Sequence, residues 1–592
     1  MCPTCLERWP WALPAEHLLF DDNVVVVANK PAGLSLAGSD DNLVSRLLLA
    51  RSGSETGMSY LCPHLHLDRD TSGVVVFAAS RTASPALAHQ AQQRAFSQTF
   101  VAGVVVPLQM PSQGILRMQV VRDRAGVLRE VQRGRGTWVQ ATHRTLVRDG
   151  SRALVEVQTC DGSRAVRAML ASMGAIVAGD MAFGSEVAPR LMLHARDVLF
   201  RHPVSGQEIT SVAPMPWSFV PWVHQRERVD DLDGPTLMQA IREAALRRFQ
   251  LLSRGDVEAV RLLHGEAEGI VGLDVEWYGN TVVAWVREET LDATVHRVRE
   301  GLEQLRPERI VVKRRPKQAS RTVGAATVEP VLIDAAHDTQ SDTHEDTHDG
   351  TLGGAIGVLM DASKGDGVRV QGDQDCAWVN EHGLKYLVSY GHGLSTGLFL
   401  DQRDNRRWVR ECSEGAAMLN LFAYTCSFTV AAAAGGACRT VSVDASKQAL
   451  DVGARNLTCN GLDQGHHVLV CDDVSRWLRR AGRAGQRFDL IVMDPPSFGT
   501  SQWGRFSTMR DYQALAAACV ALLSDGGWLL ACTNHRGVSV ARLKEWLRRA
   551  ARSVGRQVRS CELAPAGIDF PVLLGGEPHR KGIRCTFSSL TG

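Results

Sequence analysis

The sequence predicts a multidomain α/β protein, with an N-terminal α+β unit, a small central α+β unit and a C-terminal doubly wound sheet. Three observations predict it. At 592 residues the chain is too long for one hydrophobic core. Short β-rich runs separated by turn residues fill the N-terminal third. From residue 386 onwards strand-like and helix-like segments alternate, the pattern of a mostly parallel sheet covered on both faces.

In chain order, residues 16–222 contain runs such as VVVVANK, GVVVFAAS and RALVEVQT, which suit a mainly antiparallel sheet. TLMQAIREAALRRFQLL follows with apolar residues at helical spacing. The central unit, 236–385, includes IVGLDVEWYGNTVVAWV, a hairpin turning at Gly279-Asn280. Near 336–354 the chain turns acidic, small and polar and cannot bury a core, so a disordered insertion is expected. Its His337, His344 and His348 are expected to be solvated loop residues rather than metal ligands. Across 386–592, MLNLF, TVSVD, HVLVC, FDLIVMD and WLLACT are each followed by a helical pattern.

A net charge of +2 does not advertise nucleic-acid binding, so any basic surface must be local. Arginine outnumbers lysine, which suits bidentate phosphate contacts but equally reflects genome composition. No stretch reaches the ~18 apolar residues that span a bilayer, and MCPTCLERWPWALPAEHLLF lacks the basic end and apolar run of a secretory signal. No membrane partner is therefore expected, and the 14 scattered cysteines are expected as reduced thiols in the cytoplasm. Cys2 and Cys5 form one CxxC pair without a second at zinc-site spacing, so no metal is expected.

In doubly wound folds ligands bind at the carboxyl ends of the strands, and the C-terminal motifs fall there. The turn Ala423-Tyr424-Thr425-Cys426-Ser427 follows MLNLF; its small residues allow close backbone approach although it lacks the usual glycines. Asp444 ends the next strand, where a carboxylate can accept both hydrogen bonds of a ribose diol. Asp473 follows the third strand, placed for an adenine amino group. Asp494-Pro495-Pro496-Ser497-Phe498 follows the fourth; the prolines fix an extended backbone, and the Pro495 and Pro496 carbonyls with the Phe498 ring could hold a planar base against the methyl donor. Singly, an Asp after a strand is more often a helix cap than a ligand; four in register on one expected face carry more weight.

TGLFLDQRDNR, LNLFAYTCSFTVAAAAGGA, VDASKQAL, ARNLTCNGL and DPPSF together resemble the large-subunit (23S) ribosomal RNA methyltransferases that modify cytosine C5 or guanine N7. RLLHGEAEGIVGLDVEWYGN resembles their middle domain, so the likeness covers about 236–592. It implies S-adenosylmethionine (SAM) as cofactor, held by Asn420, Phe422, Tyr424, Asp444, Asp473, Asp494 and Pro495, with Gln402 and Arg403 beside it. Methyl transfer needs mainly alignment of the acceptor. Cytosine C5 also needs a cysteine added at C6, and Cys532 in LLACTNHRG is the candidate. The cytosine enzymes show two cysteines there; this chain has Asn534 at the second place, and TNHRG is closer to the guanine-modifying branch. Cys532 is at least as well read as a buried strand residue, and the modified base stays open.

In the N-terminal unit PHLHLDRDTSG resembles the HRLDxxTSG motif of the ribosomal pseudouridine synthases, and ANKPAGLSL and RLMLHARDVLFRHP match two further segments. The resemblance implies Asp68 as the catalytic aspartate and a flipped-out uridine as substrate. Departures stand beside it: Leu65-His66 replaces His-Arg, Phe100 stands at the active-site tyrosine, and CDGSRAVR keeps only Arg167 of its segment. Arg167 is expected to pair with Asp68 and keep it ionised. The expectation is thus a SAM-dependent methyltransferase acting on a base of large-subunit rRNA, fused to a synthase-like domain that binds RNA and either isomerises uridine or does not. The alternative is a non-catalytic RNA-binding ribosome-assembly factor.

Overall fold

The computed structural model describes residues 13–39, 41–51, 60–107, 109–131, 136–185, 188–315, 331–334, 375–391, 395–462, 465–501, 504–574 and 576–589. The Cys2/Cys5 pair and the histidine-bearing segment near 336–354 lie outside them.

Residues 18–212 build a twelve-stranded sheet. Val25–Lys30 and Ser72–Ala78 are buried nearly throughout, as unbroken Val/Ala runs require when both faces are covered. The sheet is antiparallel except where Leu193–Arg201 runs beside Ser72–Ala78. Helix Ser163–Ser172 contributes Val166, Met169 and Leu170 to its core, and the short helix Phe219–Val223 adds Phe219 and Trp222.

The central unit is a five-stranded sheet whose hairpin turns at Gly279-Asn280, with Tyr278 opposite Thr281. Gly279 holds φ at +58°, the left-handed conformation such a turn needs. Helix Gly234–Arg247 is capped by Asp233, which accepts the Thr236 amide at 2.8 Å, and packs Leu237, Ile241 and Ala244 against Leu262 and Val275. A two-stranded hairpin, Cys376–Glu381 with Leu384–Ser389, follows. Residues 385 and 386, where the sequence texture changes, therefore lie inside its second strand. Its Val379, Tyr386 and Val388 share one apolar cluster with Tyr278 and Trp285 of the central sheet and with Val430 and Leu457 beyond. The hairpin is a wedge common to both units rather than a linker.

The C-terminal sheet comprises β1 (Ala417–Leu421), β2 (Arg439–Asp444), β3 (His467–Cys471), β4 (Phe488–Met493), β5 (Leu523–Thr533), β6 (Arg556–Leu563) and β7 (Lys581–Ser589). Their order is β3-β2-β1-β4-β5-β7-β6, parallel from β1 to β5, with β7 antiparallel to both neighbours. Its helices are α1 (Arg403–Glu411), α2 (Ser427–Ala434), α3 (Lys447–Cys459), α4 (Val474–Arg483), α5 (Thr508–Leu522) and α6 (Val540–Ser553). The two-residue period of β4 sends Ile491 and Met493 to the face covered by α4, α5 and α6, and Leu490 and Val492 to the face covered by α1 and α2. The chain order reverses between β1 and β4, so a crevice opens at their carboxyl ends. Among the described residues no helix is long and apolar enough to cross a membrane.

Candidate functional site

The turn from β1 to α2 carries backbone strain. Phe422, Tyr424 and Cys426 hold φ at 58°, 48° and 58°, a region glycine normally occupies. Each such residue costs roughly 1–3 kcal/mol and persists only where surroundings over-determine it. Here the Ala423 amide donates to Val443 O at 3.1 Å, Thr425 Oγ1 to Gly397 O at 2.6 Å, and Asn456 Nδ2 to Thr425 O at 2.9 Å. Gly453 of α3 makes the room: a Cβ there would lie 2.5 Å from Cys426 Sγ.

Asp444, ending β2, stitches this turn to the next helix. Its Oδ2 accepts the Tyr424 amide at 2.8 Å and its Oδ1 accepts the Ser446 amide at 2.8 Å. Each oxygen keeps a second lone pair for a ligand hydroxyl. Phe399, half exposed, lies 5.5 Å ring to ring from Tyr424, so aromatic surface flanks the carboxylate.

Asp494 stands at the end of β4. Its Oδ2 accepts Gln402 Nε2 at 2.6 Å, and Gln402 Oε1 accepts Asn405 Nδ2 at 2.8 Å. Desolvation pushes Asp494 up from 3.8 to about 6, with Asp401 adding to the rise and Arg580 and Gln402 opposing it. Arg580 is itself paired with Asp401 at 3.0 Å.

The acceptor side of the crevice is a rim shared by two loops. Pro495 is buried, whereas Pro496 and Phe498 are exposed. Ser497 Oγ donates to Asn534 Oδ1 at 2.7 Å, and the Phe498 ring lies 5.8 Å from His535. Thr508 Oγ1 donates to Pro496 O at 3.1 Å, tying the rim to α5. The sequence reading gave His535 and Ser497 no part in this rim, and the Asp401–Arg580 pair none in supporting Asp494. TNHRG was the available signal for His535; nothing local marks Asp401 and Arg580, 179 residues apart.

Gln402, Phe422, Tyr424, Asp444, Asp494, Pro495, Pro496 and Phe498 thus gather along the carboxyl ends of β1, β2 and β4. Several other expectations need correction. Arg403 is fully buried, and its guanidinium grips Asp569 and donates to Ala259 O at 3.2 Å, so it joins units rather than facing a cofactor. The Asn420 side chain is buried and donates to Thr429 Oγ1 at 3.0 Å, fastening β1 to α2. Asp473 Oδ1 caps α4 by accepting the Arg476 amide at 2.9 Å, the commoner role for an aspartate after a strand. Cys532 is fully buried within β5, and burial pushes its thiol up to about 12. The thiol is thus un-ionised and closed off from solvent, which favours its reading as a strand residue over that as a nucleophile.

The N-terminal cluster also differs in detail. Asp68 Oδ1 accepts Arg164 Nε at 2.8 Å, and Ser163 Oγ donates to Oδ2 at 3.3 Å. Arg167 reaches Asp68 only at 3.5 Å; its fork is committed to Asp180 through two bonds of 2.6 Å. Arg164, not Arg167, is the close partner. Phe100 is fully buried in the core of the sheet and presents no surface to a substrate. Lys30, in ANKPAG, props the loop bearing Asp68: its Nζ donates to the carbonyls of Pro31, Leu34 and Arg69 at 2.9, 2.8 and 2.7 Å, and burial lowers it to about 7.

Both halves of the chain are similar to known proteins. Residues 367–571 match the S-adenosylmethionine-dependent methyltransferase family, and residues 24–172 match RNA pseudouridylate synthase. The chain therefore carries a SAM-dependent methyltransferase domain behind a pseudouridine-synthase-like domain. Ribosomal RNA large subunit methyltransferase I of Shigella boydii serotype 18 is 28% identical over 365 residues, 60% of this chain and 79% of that protein. Its counterpart from Escherichia coli O139:H28 is 28% identical over 359 residues, with the same coverage. The solved structure of Human RNA Pseudouridylate Synthase Domain Containing 4 is 23% identical and covers 35% of this chain and 92% of that one, with a TM-score of 0.31.

Proposed function

We propose that this protein transfers a methyl group from SAM to a ring nitrogen of guanine in large-subunit ribosomal RNA, while its N-terminal domain grips that RNA. The rRNA assignment draws on the relatives named above. The nitrogen assignment rests on one observation: the acceptor rim of Pro495, Pro496, Ser497, Phe498, Asn534 and His535 holds no thiol, and Cys532 is sealed beneath it. Cytosine C5 needs a covalent cysteine adduct, whereas a guanine nitrogen offers a lone pair and needs only alignment.

SAM supplies an already activated methyl group. The remaining work falls to the chain. The strained turn 422–426 would bring backbone against the cofactor, and the free lone pairs of Asp444 would accept its ribose hydroxyls. Phe498 and His535 stack the splayed-out base. Asp494, oriented by Gln402, accepts a hydrogen bond from an N–H of the base and fixes its rotation. Incubation of the protein with labelled SAM and unmodified large-subunit rRNA transcripts tests this; the expected product is a methylguanine, and a methylcytosine would refute the nitrogen assignment.

A second reading applies to the N-terminal domain. Asp68 keeps a guanidinium partner in Arg164 and stays partly exposed, the condition for attack on a flipped uridine. Pseudouridine mapping with wild type and Asp68→Asn decides it: a site lost only in the variant supports isomerisation, and identical maps leave the domain as an RNA grip.

A further inference from the structure

The chain is nearly neutral, but its charge is not evenly spread. Segments 474–483, 540–553 and 556–563, which are α4, α6 and β6, hold eleven basic residues against two acidic ones, Glu545 and Glu562. That surplus of nine exceeds the +2 of the whole chain, so the remainder is net acidic.

The fold gathers the α4 and α6 arginines on one surface. α4, α5 and α6 cover the same face of the sheet and bury Trp477, Leu478, Leu515, Leu543 and Leu547 in one cluster. Helical spacing then aims Arg476, Arg479, Arg480 and Arg483 outward from α4, and Arg542, Arg549 and Arg552 outward from α6, all exposed. Between the two rows α5 presents Ala514, Ala517, Ala518 and Ala521, none of them fully buried, so the middle of the surface is low and uncharged. Adjacent helices pack 8–10 Å apart, which sets the rows roughly 16–20 Å from each other. Both helices start at carboxyl ends of strands, Asp473 capping α4 and Ser539 capping α6, so both rows run away from the crevice rim.

Intramolecular pairing accounts for only part of the charge. Asp472 takes Arg480, Glu545 takes Arg549 at 2.9 Å, and Asp525 takes Arg556 at 3.4 Å. Arg479, Arg483, Arg552 and Arg559 have no acidic partner among the described residues. Elsewhere the exposed helices mix signs: α3 sets Lys447 against Asp451, and helix Asp292–Glu303 sets Arg299 against Glu303.

We infer that the outer face of α4, α5 and α6 is a second RNA-binding surface, which holds a double-stranded stem beside the target nucleotide by its phosphates. The two arginine rows meet the strands of the stem, and the alanine floor lets its backbone approach. This rests on the RNA reading above and adds a surface separate from both the crevice and the Asp68 cluster.

The test is fluorescence anisotropy of the full chain with a labelled RNA hairpin, titrated over a range of KCl concentrations. The triple variant Arg479→Gln/Arg483→Gln/Arg552→Gln should bind at least about tenfold more weakly, and its slope of log K against log[KCl] should fall by about 2, at roughly 0.7–0.9 per lost phosphate contact. Its affinity for SAM by calorimetry should be unchanged, which shows that it folds. Wild-type binding with an unchanged slope in the variant overturns the inference and leaves the methyltransferase reading standing. Failure of the wild type to bind any RNA overturns both. Anionic vesicles that bind the wild type but not the variant, with RNA binding unaltered, assign the surface to a membrane and overturn the inference.

Discussion

Asp444 holds the Tyr424 and Ser446 amides with one oxygen each, so the residue that serves the ligand also pins the turn. Asp444→Ala should therefore weaken SAM binding by about 2 kcal/mol, close to thirtyfold, with calorimetry as the measurement. Asp494 gives a pH signature. Its acid form is favoured up to about 6, so below that pH it loses its charge and accepts from the base more weakly. Methyl transfer should fall as pH drops through about 6, and Asp494→Asn should remove that limb of the profile. Cys532→Ser should retain most of its activity, because the thiol is sealed and un-ionised. Residue identity at strand ends was readable in the sequence, because each motif closes an apolar strand. Orientation was not: Arg403 stands one residue after Gln402 yet turns into the Asp569 pair, and Asn420 turns under α2. Helix phase and long-range partners decide those directions, and neither is local.

At the level of elements, alternation of apolar runs located every strand from β1 to β5 and the helix after each. The conformation of the turn 422–426 was not legible, since no glycine marks three left-handed residues. Its geometry comes from hydrogen bonds donated by or accepted from distant segments and from the gap above Gly453. Gly453→Ala should push Cys426 and the turn aside, because the added carbon would meet Cys426 Sγ at 2.5 Å and Cβ at 2.8 Å. The expected result is a loss of about 1–3 kcal/mol in stability together with weaker SAM binding, read by thermal unfolding and calorimetry. Unaltered binding would mean that the turn does not touch the cofactor.

At the scale of the whole molecule, buried ions join two of the units. Asp569, fully buried, accepts Arg403 and the Arg261 amide on its carboxylate, while its carbonyl accepts Arg248, which forks onto Glu268 at 2.6 and 2.7 Å. Central sheet and methyltransferase domain are thus held in fixed relation. Asp569→Ala leaves Arg403 buried without its partner and should cost about 3–5 kcal/mol, seen as a lowered Tm. The differing textures along the sequence led to the expectation of three units. The sequence did not show how they join, because the hairpin 376–389 and the Asp569 cluster depend on contacts hundreds of residues apart.

The central claim is that one crevice brings SAM and a guanine of large-subunit rRNA together without a covalent enzyme intermediate. The most direct measurement is nucleoside analysis of unmodified rRNA after reaction with labelled SAM and either wild-type protein or Cys532→Ser. A single labelled methylguanine formed by both proteins is the predicted result. No label in any RNA, or a labelled methylcytosine that disappears with Cys532→Ser, would contradict it.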